Sequence, residues 1–293
     1  MDRDLVDGVR RFNRTVTLRI GALDDAFLAR ARPLGQARVL WELGDAGCDV
    51  RELRERLDLD SGYLSRLLRA LERDGLVRVE PSGEDGRVRV ARPTGAGLAD
   101  RGTLDELSDA SAVSILEPLS GGQRIRLVAA MAEVERLLTA SAVDVAARPP
   151  GHPAARFCLG EYFAELARRF DSGFDPGRST SAADDEMTPP AGVLLVATLR
   201  GEPVGCGALK FPGDALAEVK RMWVAPSARG LGLGRRLLGE LEEYAAARGV
   251  TTLRLETNRA LGEAIGLYRA AGYREVPAFN DEHYADHWFE KST

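Results

Sequence analysis

Residues 219–234 constrain the possible fold of this chain more than any other part of it. They read V-K-R-M-W-V-A-P-S-A-R-G-L-G-L-G: a short apolar strand, a turn, and a helix start with alternating glycines. Glycine lets the backbone approach a ligand without a Cβ atom in the way. A helix N-terminus presents free amides and the positive end of the helix dipole. The stretch therefore predicts a binding site for an anionic, diphosphate-bearing cofactor.

Two widespread phosphate-binding motifs do not fit this spacing. A P-loop requires Gly-Lys-Ser/Thr after its glycines, and no such triplet follows here. The dinucleotide-binding fingerprint requires G-x-G-x-x-G, whereas Gly230, Gly232 and Gly234 follow one another at every second position. Neither of these nucleotide-binding classes is therefore indicated.

A different signature does match. Arg229, Gly232 and Gly234 resemble the R/Q-x-x-G-x-G/A motif of the GNAT acetyltransferases. Further along, A-I-G-L-Y at 264–268 with G-Y at 272–273 resembles the helix that carries the tyrosine of that family. Two motifs in the family's order are more specific than either alone, and together they predict an α/β acetyltransferase domain.

The resemblance implies that acetyl-CoA is the cofactor. In the family, the strand before the turn holds the pantetheine arm, and the glycine turn holds the diphosphate. Carried over by matching position, the cofactor-binding residues are Met222, Trp223, Val224, Arg229, Gly230, Leu231, Gly232, Leu233, Gly234, Arg235 and Tyr268.

Acyl transfer to an amine sets three chemical requirements: a neutral amine, a stabilised oxyanion and a protonated leaving thiolate. The resemblance implies that Tyr268 donates the proton to the sulfur; the alternative is that it is a core aromatic residue. It also implies that Glu218 accepts the amine proton through water. The alternative for Glu218 is an edge or substrate-binding carboxylate.

The acceptor is less well determined. Lys220 and Arg221 flank Met222 and favour a carboxylate-bearing acceptor, such as an amino acid or a related small amine. Strand alternation places these two residues on opposite faces, so we expect at most one of them to face the substrate. Other candidate acceptor-binding residues, which fall in segments that border the acceptor site of the resembled fold, are Glu161, Tyr162 and Asn280.

The first half of the chain shows a different pattern. Helical periodicity over 5–20, 34–43 and 50–57 is followed by a helix for which Ser61 is the expected N-cap, and by two β-rich runs around P-S-G-E-D-G. Together with Y-L-S-R-L-L at 63–68 and L-E-R-D-G-L-V at 71–77, this order resembles the winged helix-turn-helix of MarR-family regulators.

The MarR resemblance implies binding to double-stranded DNA and a homodimer. The candidate DNA-contacting residues are Ser61, Tyr63, Ser65, Arg66, Arg69, Arg87 and Arg89. Residues 51–92 contain ten arginines and nine acidic residues, a net charge of only +1. Two interpretations therefore stay open: sequence-specific DNA binding, or a winged helix kept for dimerisation or for shaping the substrate of the enzyme.

The length of the chain and one cluster of prolines and glycine indicate two domains. A chain of 293 residues suits two domains, and prolines and glycine cluster at 149–153. We expect an α+β two-domain protein with a winged helix domain at 1–142, a linker at 143–153 and an acetyltransferase domain at 154–293.

Several classes of protein are excluded. No apolar run approaches the roughly 18 residues of a membrane helix, and the first residues are polar, so we expect a cytoplasmic protein. The three histidines do not form a set with nearby acids at the spacing of metal ligands, so we expect no metal site.

The sequence therefore predicts a bifunctional protein, a MarR-like regulator fused to a GNAT enzyme that acetylates a small amine. The alternatives are a regulator whose second domain senses acetyl-CoA or a metabolite, or a protein-lysine acetyltransferase.

Overall fold

A computed structural model describes residues 2–21, 32–83, 86, 88–171, 173–179 and 182–293. The chain divides into two compact units, Met1–Ala130 and Met131–Thr293, and each is described by itself. In the ranges above, no helix has both the length and the apolar character that crossing a bilayer requires.

The first unit contains helices and a small antiparallel sheet in the order β1-β3-β2. Its elements are α1 (Arg3–Arg19), α2 (Leu34–Glu42), β1 (Cys48–Asp49), α3 (Val50–Leu57), α4 (Ser61–Arg73), β2 (Val77–Pro81), β3 (Arg89–Pro93) and α5 (Gly95–Leu116). A further helix, α6 (Gly121–Ser141), follows. The helix and wing order agrees with the expectation from sequence, although β1 was not foreseen.

Helix α4 shows why this unit folds as it does. Leu64, Leu67, Leu68 and Leu71 recur at helical spacing and are buried against the rest of the unit. The arginines of the same helix lie on its exposed side. One face of α4 therefore builds the core, and the other carries the positive charge.

The N-cap of α4 differs from the expected residue. Asp60 is extended, and its side chain accepts a hydrogen bond from the Tyr63 amide at 2.8 Å. Ser61 is instead the first residue of the helix. Serine and aspartate are both good caps, and a carboxylate also interacts favourably with the positive end of the helix dipole.

The second unit is built on a mixed sheet in the order β4-β5-β6-β7-β8-β10-β9. Its remaining elements are β4 (Val143–Ala147), α7 (Pro153–Arg169), β5 (Gly192–Leu199), β6 (Glu202–Gly213), β7 (Leu216–Val224), α8 (Leu233–Ala247), β8 (Thr252–Thr257), α9 (Gly262–Ala270), β9 (Arg274–Val276) and β10 (His287–Ser292). Neighbouring strands are antiparallel except β7 and β8, which are parallel and joined through α8.

The expected linker at 143–153 is partly a strand. Residues 143–147 form β4, which pairs with β5 from Val143 opposite Leu199 to Ala147 opposite Leu195. The division between the two units falls earlier, within α6. This strand is difficult to predict from sequence because it has only five residues and the proline and glycine cluster begins two positions after its end.

The sheet opens between β7 and β8. Their pairing covers only Leu216–Glu218 on β7 and Thr252–Arg254 on β8. Beyond it, β7 is bulged: Cys206 faces Trp223 and Ala208 faces Lys220, so two β7 residues stand opposite one residue of β6. Arg221, one of these two residues, has φ 57°. The bulge accompanies the departure of β7 from β8 and leaves a gap between the two strands.

Two glycines of α5 give a matched test of packing in the first unit. A Cβ atom at Gly97 would lie 2.0 Å from the Leu76 carbonyl oxygen, whereas a Cβ atom at Gly102 meets nothing within 4 Å. We expect Gly97→Ala to lower the free energy of unfolding by about 1–3 kcal/mol. Gly102→Ala should raise it by about 0.5–1 kcal/mol because alanine loses less backbone entropy in a helix.

Urea denaturation of the full chain, followed by helical circular dichroism, measures both changes. Equal effects of the two substitutions would contradict the close contact of Gly97 with Leu76.

Candidate active site

A cavity of about 540 Å³ lies beside the glycine turn of the second unit. It is bordered by the end of β7, the start of α8, and α9. Of the predicted cofactor-binding residues, the structure places these around it: Met222, Trp223, Val224, Arg229, Gly230, Gly232, Leu233, Gly234, Arg235 and Tyr268. Leu231 does not line the cavity, and its side chain packs against the core.

The glycine turn has a backbone that glycine adopts most readily. Gly230 and Gly232 have φ values of 78° and 77°, in the left-handed region that other residues rarely occupy. Gly232 is the N-cap of α8 and provides no side chain to bind the first amides of the helix. These amides have no partner within the helix, and they lie at the edge of the cavity.

Arg229 connects three parts of the unit. Its guanidinium bonds Glu165 of α7 at 2.6 and 2.8 Å and donates to the Val224 carbonyl at 3.2 Å. Glu165 also accepts a hydrogen bond from the Trp223 indole at 3.0 Å. Sequence reasoning missed Glu165, because nothing in the pattern of α7 distinguishes it from the other acidic residues of that helix.

Two further arginines border the turn. Arg235 donates to the Ala270 carbonyl at the end of α9, at 2.9 Å. Arg136, on α6, donates to the Gly230 carbonyl at 2.6 Å and lines the cavity. Sequence reasoning did not single out Arg136, because the motif around the turn is local and this residue lies far from it in the chain.

A second, smaller cavity of about 80 Å³ adjoins the first. The residues that line both cavities are Tyr162, Leu166, Met222, Leu261, Ala264 and Tyr268. A group bound in the first cavity can therefore meet a group bound in the second where Met222 and Tyr268 lie.

Tyr268 is suited to donate a proton at this junction. It is 5% exposed, and burial, followed by the charges of Tyr162 and Glu256, raises its pKa above the usual value for tyrosine. Tyr162 is partly buried, and desolvation raises its pKa to about 12 against the opposing charge of Arg221. Both hydroxyls therefore keep their protons at neutral pH.

Lys220, Arg221 and Met222 are consecutive, yet all three line the second cavity. The expectation that strand alternation would turn Lys220 and Arg221 to opposite faces is wrong. The bulge interrupts the alternation at this point of β7.

Arg221 is buried, and aromatic side chains form much of its surroundings. Its guanidinium lies 4.6 Å from the ring centroid of Phe163 and donates to the Ala182 carbonyl at 2.9 Å. In the described part of the chain, its Nε and one terminal nitrogen have no hydrogen-bond partner. An unpaired buried cation donor next to a cavity favours an anionic ligand.

The remaining predicted residues lie elsewhere. Glu218 is bonded to Lys220 at 3.1 Å and lines neither cavity. Asn280 accepts a hydrogen bond from the Trp288 indole at 2.8 Å, and Glu161 lies on α7 outside both cavities. Glu256, at the end of β8, does line the second cavity, and sequence reasoning missed it.

On the first unit, the candidate DNA-contacting residues of α4 share an exposed surface. Tyr63 is 38% exposed, and the Arg66 guanidinium lies 5.5 Å from its ring centroid. Ser61 and Arg69 are also exposed, and Ser65 donates to the Ser61 carbonyl. Arg89, on the wing, donates to the Val79 carbonyl; Arg87 lies outside the described residues.

Comparison with known proteins decides the family. The model of the Acetyltransferase (GNAT) family matches residues 161–273, and the model of the MarR family matches residues 32–88. An uncharacterized N-acetyltransferase of Schizosaccharomyces pombe is 32% identical over 126 residues, which cover 40% of this chain and 77% of that protein. The chain belongs to the GNAT family of acetyltransferases.

Other relatives match over shorter ranges. The IAA acetyltransferase of Azospirillum brasilense is 45% identical over 87 residues, which are 29% of this chain and 57% of that protein. The chain thus spans less than two thirds of this relative. A crystal structure of a GNAT acetyltransferase from Staphylococcus aureus has a TM-score of 0.45 and 16% identity, over 52% of this chain and 99% of that one.

The two family models confirm both resemblances. The GNAT range contains Glu165, Glu256 and Tyr268, and it leaves out Arg136. The MarR range contains α4 and β2, the first strand of the wing, and it ends just before β3. The protein is therefore a GNAT acetyltransferase domain preceded by a MarR-type winged helix region.

Proposed function

We propose that the GNAT domain transfers an acetyl group from acetyl-CoA to the amine of a small, carboxylate-bearing molecule such as an amino acid. The observation that carries this proposal is the opening of the sheet between β7 and β8, with two cavities that meet at Met222 and Tyr268.

The residues around the larger cavity fit a diphosphate. The first amides of α8 have no helical partner and lie at the positive end of its dipole, and the guanidinium groups of Arg136, Arg229 and Arg235 border the same space. The edge of β7 at 222–224 is no longer paired with β8 and is free to hold the pantetheine arm. When bound, acetyl-CoA supplies the acyl thioester.

Tyr268 would protonate the departing sulfur, since its buried hydroxyl holds a proton at neutral pH. The amine must lose a proton before it attacks. Glu256 is better placed to accept it than Glu218, because Glu256 lines the acceptor cavity and its Oε2 is buried without a hydrogen-bond partner in the described residues.

Arg221 supports a carboxylate on the acceptor. The unpaired guanidinium nitrogens described above belong to a residue that lines the acceptor cavity. A carboxylate bound there would satisfy them through charge-assisted hydrogen bonds.

The first test is release of free thiol from acetyl-CoA with a panel of amino acids, their methyl esters and simple amines. We expect amino acids to be acetylated faster than their esters. Tyr268→Phe should lower kcat by about 10²–10⁴-fold, the usual contribution of a positioned acid, with little change in the Kd of coenzyme A.

Tyr273→Phe is the matched control, because the ring centroids of Tyr273 and Tyr268 are 5.9 Å apart but Tyr273 lines neither cavity. An equal loss in both variants would contradict proton donation by Tyr268. Binding of acetyl-CoA without turnover of any acceptor would instead favour a sensor.

The proton acceptor is tested by the pH profile of kcat/KM. Glu256→Gln should lower kcat/KM at neutral pH by about 10²–10⁴-fold. The loss should shrink as pH rises, since an amine that is already neutral in solution no longer needs the base. If Glu218→Gln, not Glu256→Gln, shows this pH-dependent loss, the assignment is wrong.

We also propose that the winged helix region binds double-stranded DNA as a homodimer. The MarR match and the exposed tyrosine and arginines of α4 support DNA binding. For dimerisation, the support is the apolar face that α1 leaves exposed, formed by Leu5, Val9 and Phe12. A second chain would bury this surface.

Fluorescence anisotropy with DNA from upstream of the coding region tests this proposal. We expect two chains per duplex and affinity that falls steeply with salt. Arg66→Ala should weaken binding and reduce the slope of log K against log salt by about 1.

Arg168→Ala, an equal loss of charge on the exposed side of α7, should change neither quantity. Salt-independent binding, or one chain per duplex, would contradict the proposal.

A further inference from the structure

Arg136 is the residue near the glycine turn that the GNAT motifs do not supply. It lies on α6, outside the range 161–273 matched by the GNAT family model. Its side chain nevertheless lines the larger cavity together with Arg229 and Arg235. The contact with the turn joins residues that are 94 positions apart in the chain.

The guanidinium of Arg136 is fixed in place on two sides. Its Nε donates to Glu133, one turn earlier on α6, at 3.0 Å, and a terminal nitrogen also bonds Glu133. The other terminal nitrogen donates to the Gly230 carbonyl at 2.6 Å. An arginine that is held in this way loses little further side-chain entropy when it binds a ligand.

The contact with Gly230 also determines how the turn presents its backbone. Because the peptide unit is planar and trans, a bond that holds the Gly230 carbonyl also fixes the direction of the following N–H group. Gly230 itself is in the left-handed region, where glycine has several accessible conformations. Arg136 therefore stabilises one of the conformations open to the turn.

A donor remains on Arg136 for a ligand. A guanidinium has five N–H donors. One terminal nitrogen uses a donor for the Gly230 carbonyl, while Nε and the other terminal nitrogen bond Glu133, the latter through both carboxylate oxygens. The second N–H of the nitrogen that bonds Gly230 is left, and it can donate to an oxygen of a phosphate group.

We propose that Arg136 is a cofactor-binding residue that α6 supplies to the GNAT site: it positions the glycine turn and donates to the diphosphate of coenzyme A. This inference rests on the proposed function. It adds to the site a residue from outside the GNAT range, so that the affinity for the cofactor depends on α6.

The first test is calorimetric titration of the full chain with coenzyme A. Arg136→Ala should weaken binding by about 10- to 100-fold, the range for hydrogen bonds to charged groups. Arg136→Lys keeps the positive charge but lacks the planar arrangement of guanidinium donors, so it should recover only part of the lost affinity. Arg126→Ala, an exposed arginine of the same helix, is the matched control and should bind as the wild type does.

The second test uses S-acetylpantetheine, an acyl donor without the diphosphate and the nucleotide. Arg136→Ala should lower kcat/KM for acetyl-CoA by a much larger factor than kcat/KM for this donor. An equal fall for both donors would show general damage to the site and would overturn the inference.

The two proposals fail differently. If the wild type binds coenzyme A and Arg136→Ala binds it equally well, the role of Arg136 is wrong and the acetyltransferase proposal stands. If the folded wild type does not bind coenzyme A, the acetyltransferase proposal fails and the role of Arg136 fails with it.

Discussion

The structure of the GNAT domain depends on the point at which β7 and β8 stop pairing. Parallel strands gain stability from a continuous ladder of backbone hydrogen bonds, and here the ladder covers three residues on each strand. The bulge at Arg221 and Met222 accompanies this departure. Without the opening, there would be no free edge on β7 at 222–224, and the two cavities would not meet beside Tyr268.

Side chains connect the strands where the backbone no longer does. Lys220 of β7 bonds Glu256 of β8 and also Glu218, and the side chains of Lys220 and Glu256 are only 4% and 7% exposed. Burial of such charges is costly unless they are paired. Placing this cluster beside the acceptor cavity leaves one oxygen of Glu256 without a protein partner in the described residues, which is the property that a proton acceptor needs.

Much of the fold was accessible from sequence because its signals are local. The glycine turn and the residues that begin and end α4 each occupy a few neighbouring positions. The same is true of each strand and helix in the alternating pattern of the second domain. Where local signals compete or are short, the prediction was wrong: Asp60, not Ser61, caps α4, and β4 lies in the expected linker. No residue pattern predicts the bulge. Because of it, both Lys220 and Arg221 line one cavity.

Sequence reasoning missed Glu165, Glu256 and Arg136 for one physical reason. Each contacts a residue far away in the chain, and only the folded domain brings the two together. The central claim, that the open strand edge and the turn bind coenzyme A, is tested most directly by calorimetry of wild-type protein and Gly232→Ala with coenzyme A. We expect one site per chain, which the substitution weakens because φ at position 232 is 77°. No heat of association with correctly folded wild-type protein would contradict it.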